Sequence, residues 1–207
     1  WMADGQLGDY ILTNGDASFV IEAIGNPHGD GLTGGNIVDA GVSPNWEDEF
    51  GSHLTWLVDH PRQAAYDTLV IESPGGDSDA VLLAVGRDSD NPDITVETRY
   101  VLSENSRALV MTTTLTNEGA AVSEYSAGDA MNWGDALHFV PGYGFDLTGA
   151  TTYSAWVGAA GSGPCYGYTL SSGTITTRHG DLWSDPTAFA GSVPSNDSVS
   201  FTRYFVA

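Results

Sequence analysis

Residues 94–116 read ITVETRYVLSENSRALVMTTTLT, and the pattern of this stretch decides the fold class. In its second half Leu109, Met111, Thr113 and Leu115 fall on one side of an extended chain, with Val110, Thr112 and Thr114 on the other. That is the period of two a β-strand imposes on its side chains. Residues 94–102 are equally rich in β-branched and aromatic types, and the polar segment 103–107 is a turn between two strands. Upstream, AVLLAV (80–85) and the turn-rich link 86–93 add a third strand to the same antiparallel run.

Working outward, the chain repeats this punctuation. DYILT (9–13), Asn14-Gly15-Asp16 and ASFVIEAI (17–24) form strand, turn, strand, and Asn-Gly between apolar runs is a strong hairpin signal. Further strands are predicted over 36–40, 53–58, 68–72, 152–157, 166–170, 174–177 and 199–206, and one short helical turn over 61–67. No amphipathic helix is discernible, so the expectation is one all-β domain over 1–207, an antiparallel β-sandwich with little or no helix. The chain opens at Trp1 rather than Met, and SFTRYFVA (200–207) stops while still apolar. Both features predict a piece excised or processed from a longer chain, with its last strand left unpaired as an edge for strand addition.

The 207 residues are 41 % hydrophobic, with 26 Gly and 9 Pro scattered as turn residues, enough for a sizeable core. Acidic side chains number 27 against 6 basic ones, all Arg, for a formal net charge of −21. Such a surface repels phosphate backbones and anionic membranes, which argues against nucleic-acid partners. No apolar run approaches the length of a membrane span, so membrane insertion is not expected. One cysteine, Cys165, excludes an internal disulfide and reads as a small buried hydrophobe.

Several segments together carry a family resemblance. GQLGDYILTNGDASFVIEA (5–23), GGNIVDAG (34–41), VETRYVLSENSRALVMTTTLTNEG (96–119), AGDAMNWGDALHFVPGYGFD (127–146) and the closing SVSFTRYFVA resemble galactose-mutarotase-like β-supersandwich domains on the N-terminal side of large secreted bacterial proteins. The resemblance implies that fold and a secreted or cell-surface setting. It implies little about activity, since the architecture hosts epimerases, lyases and non-catalytic modules.

Three readings of function follow. In the first, the domain is non-catalytic and binds carbohydrate, or packs against neighbouring domains or copies of itself. Trp133, His138, Trp156, Tyr166 and Tyr168 are the candidate sugar contacts, with Tyr166 and Tyr168 on one strand face, because flat aromatics suit glycan stacking. In the second, Asp129, Asp135 and His138 act as the acid and base of an epimerase or lyase. An unbroken strand, however, would put Asp129, Met131, Trp133 and Asp135 on one face and His138 on the other. In the third, Ca²⁺, the one possible cofactor, stabilises the fold. It would bind Asp88, Asp90, Asn91 and Asp93, which crowd oxygen donors into one loop. The loop at Gly75–Asp79 and the group Glu47-Asp48-Glu49 after Trp46 are weaker acidic clusters. His53 and His60, seven residues apart, match no familiar metal spacing.

Overall fold

A computed structural model describes residues 5–43 and 48–207; Trp46 and Glu47 lie outside the described residues. The strands are β1 (Tyr10–Thr13), β2 (Ala17–Ile21), β3 (Ile37–Val42), β4 (Ser52–Leu57), β5 (Asp59–Pro74), β6 (Ala80–Asp88), β7 (Ile94–Leu102) and β8 (Ala108–Asn117). They continue as β9 (Ser123–Asn132), β10 (Leu137–Phe139), β11 (Thr151–Ser154), β12 (Trp156–Ala160), β13 (Cys165–Leu170), β14 (Ile175–His179), β15 (Trp183–Val193) and β16 (Asp197–Val206). No helix occurs among the described residues, and all pairings are antiparallel. The domain is an all-β sandwich.

β1, β2 and β3 form a small sheet, and the other thirteen strands follow one another as β10-β12-β13-β16-β8-β7-β6-β5-β4-β9-β15-β14-β11. This long ribbon folds into two layers at β5, which pairs with β4 near its start and with β6 along the rest. The predicted helical turn over 61–67 is therefore strand. Register shifts opposite Tyr66 and Ile71 bend β5, and a bulged start tolerates Pro61, which has no N–H to give a regular ladder. Gly86 lies so close to this bend that a Cβ there would sit 2.1 Å from the Ala65 carbonyl oxygen.

The layers meet through alternate residues. β7 and β8 bury Val96, Tyr100, Leu102, Leu109, Met111 and Leu115 on their inner face, as the quoted stretch predicts. Phe205 of β16 packs against Phe50 at 4.8 Å, Phe19 at 5.7 Å, Tyr166 at 6.0 Å and Trp133 at 6.3 Å between ring centroids, so the small sheet shares the same core. β16 pairs with both β13 and β8. The expected free terminal strand is instead an interior strand of the ribbon, whose two ends are β10 and β11. Cys165 is likewise exposed rather than buried, because Tyr166 and Tyr168 take the inward positions of β13.

Candidate functional site

One layer, β4, β9, β15 and β14, has two contrasting faces. On its inner face Asp129 is wholly buried and accepts hydrogen bonds from Arg203 Nε at 2.5 Å, Arg203 Nη2 at 2.8 Å, Tyr168 Oη at 2.6 Å and Thr55 Oγ1 at 3.1 Å. His53 Nε2 lies 2.8 Å from the same carboxylate. Arg203 Nη1 also donates to Thr113 Oγ1 at 2.6 Å, and Thr113 meets Thr98 at 2.7 Å. Burial alone would raise the Asp129 pKa, but the Arg203 and His53 charges and hydrogen bonds hold it far below the usual carboxylate range. Beside this network Trp133 Nε1 donates to Ser184 Oγ at 2.9 Å, which sits 2.9 Å from His179 Nδ1.

These contacts correct several expectations. Trp133, Tyr166 and Tyr168 are core side chains, at 0 %, 4 % and 0 % exposure, and cannot reach a sugar. Their ring area is worth more in the core than in solvent, and each polar tip finds a partner there; Tyr166 Oη donates to Ala40 O at 3.1 Å and accepts from Glu49 N at 2.8 Å. Asp129 is saturated by its partners and unavailable as a catalytic acid or base. Trp156 does remain accessible, at 42 % exposure. Asp88 is buried, with its carboxylate on Arg62 Nε at 2.9 Å and Tyr125 Oη at 2.5 Å. The turn at 89–93 therefore presents Asp90, Asn91 and Asp93 without it. Glu49 caps the turn at Ser162 through Ser162 N at 2.8 Å.

The outer face of the same strands carries a cleft of about 320 Å³ lined by Asp30, Leu54, His60, Gln63, Ala130, Asn132 and Trp183. Its apolar floor is Leu54 and Ala130, which cluster with the buried Trp56. The β2–β3 loop delivers Asp30, whose Oδ2 accepts from Ser52 Oγ and, at 3.3 Å, from Asn132 Nδ2. Gln63 Oε1 accepts from Leu32 N at 3.0 Å, tying that loop to β5. On the opposite wall His60 Nε2 is hydrogen-bonded to the buried Asp185, and its ring meets Trp183 edge-on at 5.1 Å. Trp183 is 37 % exposed and rests on Gly180, where a Cβ would come within 2.4 Å of the indole.

Asp30, Gln63 and Asp185 were missed in the sequence because three separate elements, the β2–β3 loop, β5 and β15, supply them. The recognisable signal was His60, which the spacing to His53 paired with the wrong partner. Asp135 and His138 do come together, lining a second cavity. β9 ends at Asn132 and the chain turns before β10, so strand alternation does not carry through from Asp129.

No known protein family and no curated protein matches this chain. Solved structures do. The GH36 alpha-galactosidase AgaB from Geobacillus stearothermophilus superposes with a TM-score of 0.63 at 10 % identity, over 99 % of this chain and 40 % of its own. A galactose mutarotase-like protein from Lactobacillus casei ATCC 334 gives 0.56 at 10 %, over 96 % and 99 %. The fold is galactose mutarotase-like. A galactose mutarotase related enzyme from Lactobacillus acidophilus agrees, with a TM-score of 0.55 at 7 % identity over 96 % of each chain. The chain thus spans about 40 % of the length of the alpha-galactosidases it matches. At these identities the likeness speaks for the fold alone.

Proposed function

We propose that this is a non-catalytic, extracellular carbohydrate-binding domain whose site is the outer-face cleft. One observation carries the reading: an accessible indole, Trp183, stands beside acceptors and donors that converge over an apolar floor. Sugars present just this duality, a C–H face that stacks on an aromatic ring and a rim of hydroxyls that needs fixed hydrogen-bond partners. The cleft volume falls at the small end of ligand sites, roughly 300–1,000 Å³, which suits one or two sugar rings. The folds it resembles belong to proteins named for galactose and alpha-galactosides, which makes hexoses the first ligands to try.

The test is a glycan array followed by calorimetry on the best binder. Trp183→Ala should weaken binding at least tenfold while Trp156→Ala leaves it unchanged; absence of binding to any glycan, or indifference to Trp183→Ala, would overturn the reading. A second reading rests on the His60–Asp185 pair. With Nε2 held by a buried carboxylate, Nδ1 is the ring atom left to exchange a proton, and Asp30 faces the same cleft. An epimerase needs two such groups across a sugar carbon. Anomer interconversion followed by NMR, fast in the native chain and lost in His60→Gln, would favour it.

A further inference from the structure

Residues 147–177 hold no Asp, Glu, Lys or Arg, in a chain that is 16 % charged with a formal net charge of −21. Residues 108–117 hold none either, and among 198–206 there is only Arg203, which turns inward to Asp129. The fold lays these segments side by side, because β10, β12, β13, β16 and β8 are consecutive strands of the ribbon. Alternation then divides each strand between two faces. Tyr166, Tyr168, Phe205, Leu109 and Met111 go inward. Outward go Leu137 and Phe139 of β10, Trp156 of β12, and Cys165 and Thr169 of β13. β16 adds Ser200, Thr202, Tyr204 and Val206, and β8 adds Val110, Thr112, Thr114 and Thr116. The outer face of these five strands carries no charge of either sign. Charge returns on the next strand, β7, with Glu97 and with Arg99, which pairs with Glu72.

A solvated surface ordinarily carries about 25–35 % charged residues. Depletion of charge together with exposed aromatic rings is instead the composition of an interface core. Leu137 is 64 % exposed and Trp156 42 %. The Trp156 ring lies down on the sheet, against Phe139 at 5.5 Å and so near Gly158 that a Cβ there would be 3.2 Å from it. The hydroxyls of the face are already paired: Thr112 with Thr202 at 2.9 Å, Thr114 with Ser200 at 2.8 Å, and Thr169 Oγ1 donating to Ala155 O at 2.8 Å. A partner that covers them therefore strands little hydrogen-bonding capacity, which is the main cost of burying polar groups. With about 3.3 Å per residue and about 4.8 Å between strands, the five strands make a plate of roughly 550 Å² in projection. A specific interface buries about 600–1,000 Å² of accessible surface per partner, and side-chain relief makes accessible area larger than projected area.

We infer that this face is the contact between two copies of the chain, packed sheet on sheet about a two-fold axis. Charge selects the partner. A basic protein would be drawn to the acidic remainder of the surface, and two copies at −21 repel wherever their carboxylates meet. An uncharged surface is best met by another, and two-fold pairing supplies it from the same patch. The sugar cleft lies on the outer face of the other layer, so both clefts stay open and the contact is independent of the sugar reading.

Sedimentation of the whole chain from about 1 to about 100 µM, at about 150 mM salt, tests this, since interfaces of this size dissociate at micromolar concentrations or below. A reversible monomer–dimer equilibrium is expected. Thr169→Glu/Thr202→Glu sets like charges on the face of each copy and should weaken association at least tenfold. Val122→Glu/Ser192→Glu adds the same charge at exposed positions of the β8–β9 loop and β15 and should associate as the native chain does. Cys165, the one cysteine of the chain and exposed on this face, supplies a measurement without substitution. Spin-labelled there, the dimer should show a dipolar distance below about 50 Å, because the longest strands of the face run only about 33 Å. Should the charged pair unfold the domain, seen as a lost near-ultraviolet circular dichroism signal, the Cys165 distance decides alone. A chain that stays monomeric throughout, a dimer indifferent to the β13 and β16 charges, or a dimer without dipolar coupling at Cys165 overturns the inference; the first result would leave the face to a flat glycan or a different protein.

Discussion

The two faces of the β4–β9–β15 layer each hold a His–Asp pair, and the pairs have opposite fates. His53–Asp129 on the inner face is sealed under Arg203, Thr55 and Tyr168 with no exposure of either side chain. His60–Asp185 on the outer face has an equally buried carboxylate, at 1 %, but a His side chain 37 % exposed to the cleft. The inner carboxylate is wrapped by four side chains in the core, whereas the outer pair leaves its imidazole partly open to the cleft. Neighbouring residues make the contrast: Asp129 and Ala130, or His53 and Leu54, differ by one position and therefore by the whole thickness of the sheet.

The largest effect expected from breaking this contrast is at the inner pair. Asp129→Ala would leave the Arg203 guanidinium buried without a counter-charge, a change that typically costs about 3–5 kcal/mol; urea unfolding followed by Trp fluorescence measures it. A loss under about 1 kcal/mol would mean that solvent reaches Arg203 and that the two faces are not distinct.

Acid should also strike the inner face. Burial first, then the neighbouring His138, pushes His179 down to about 4 from its ordinary 6.5. The unfolded chain therefore takes up a proton that the native chain refuses. The stability His179 contributes is complete above about pH 6.5 and is lost as pH falls through its native value near 4. At most roughly 3 kcal/mol is at stake. Melting temperature against pH in native and His179→Gln chains isolates it, the variant giving the shallower acid slope between pH 6.5 and 4.

The smallest effect belongs to the outer pair. His60→Asn should change stability by about 1 kcal/mol or less, because the exposed ring contributes little packing and a partly exposed pair little charge energy. A loss as large as that at Asp129 would show the outer pair to be structural as well.

Much of the sandwich was legible along the chain. Strands β7 and β8 lie almost where alternation places them, and Asn14 closes the first hairpin as its type predicts, its Oδ1 accepting Asp16 N at 2.8 Å and Ala17 N at 2.9 Å. Even the inner ion pair left a trace: Thr98, Thr113 and Arg203 interrupt the apolar inward register of their strands, and the structure brings all three into one network. Misreadings came where periodicity is silent. Pro61 suggested a turn but sits in a bulged strand start, and the aromatic residues Trp133, Tyr166 and Tyr168 carry no mark telling a core ring from an exposed one.

From sequence alone came the all-β class, the strong acidity and the division of strand residues such as 109–115 between two faces, because a period of two is a local property of an extended chain. Which face met another layer, and which met solvent, is not local. The fold of the long ribbon at β5 decided that Asp129 would be locked to Arg203. It also drew Asp30, His60 and Trp183, each from a different element, around one open cleft.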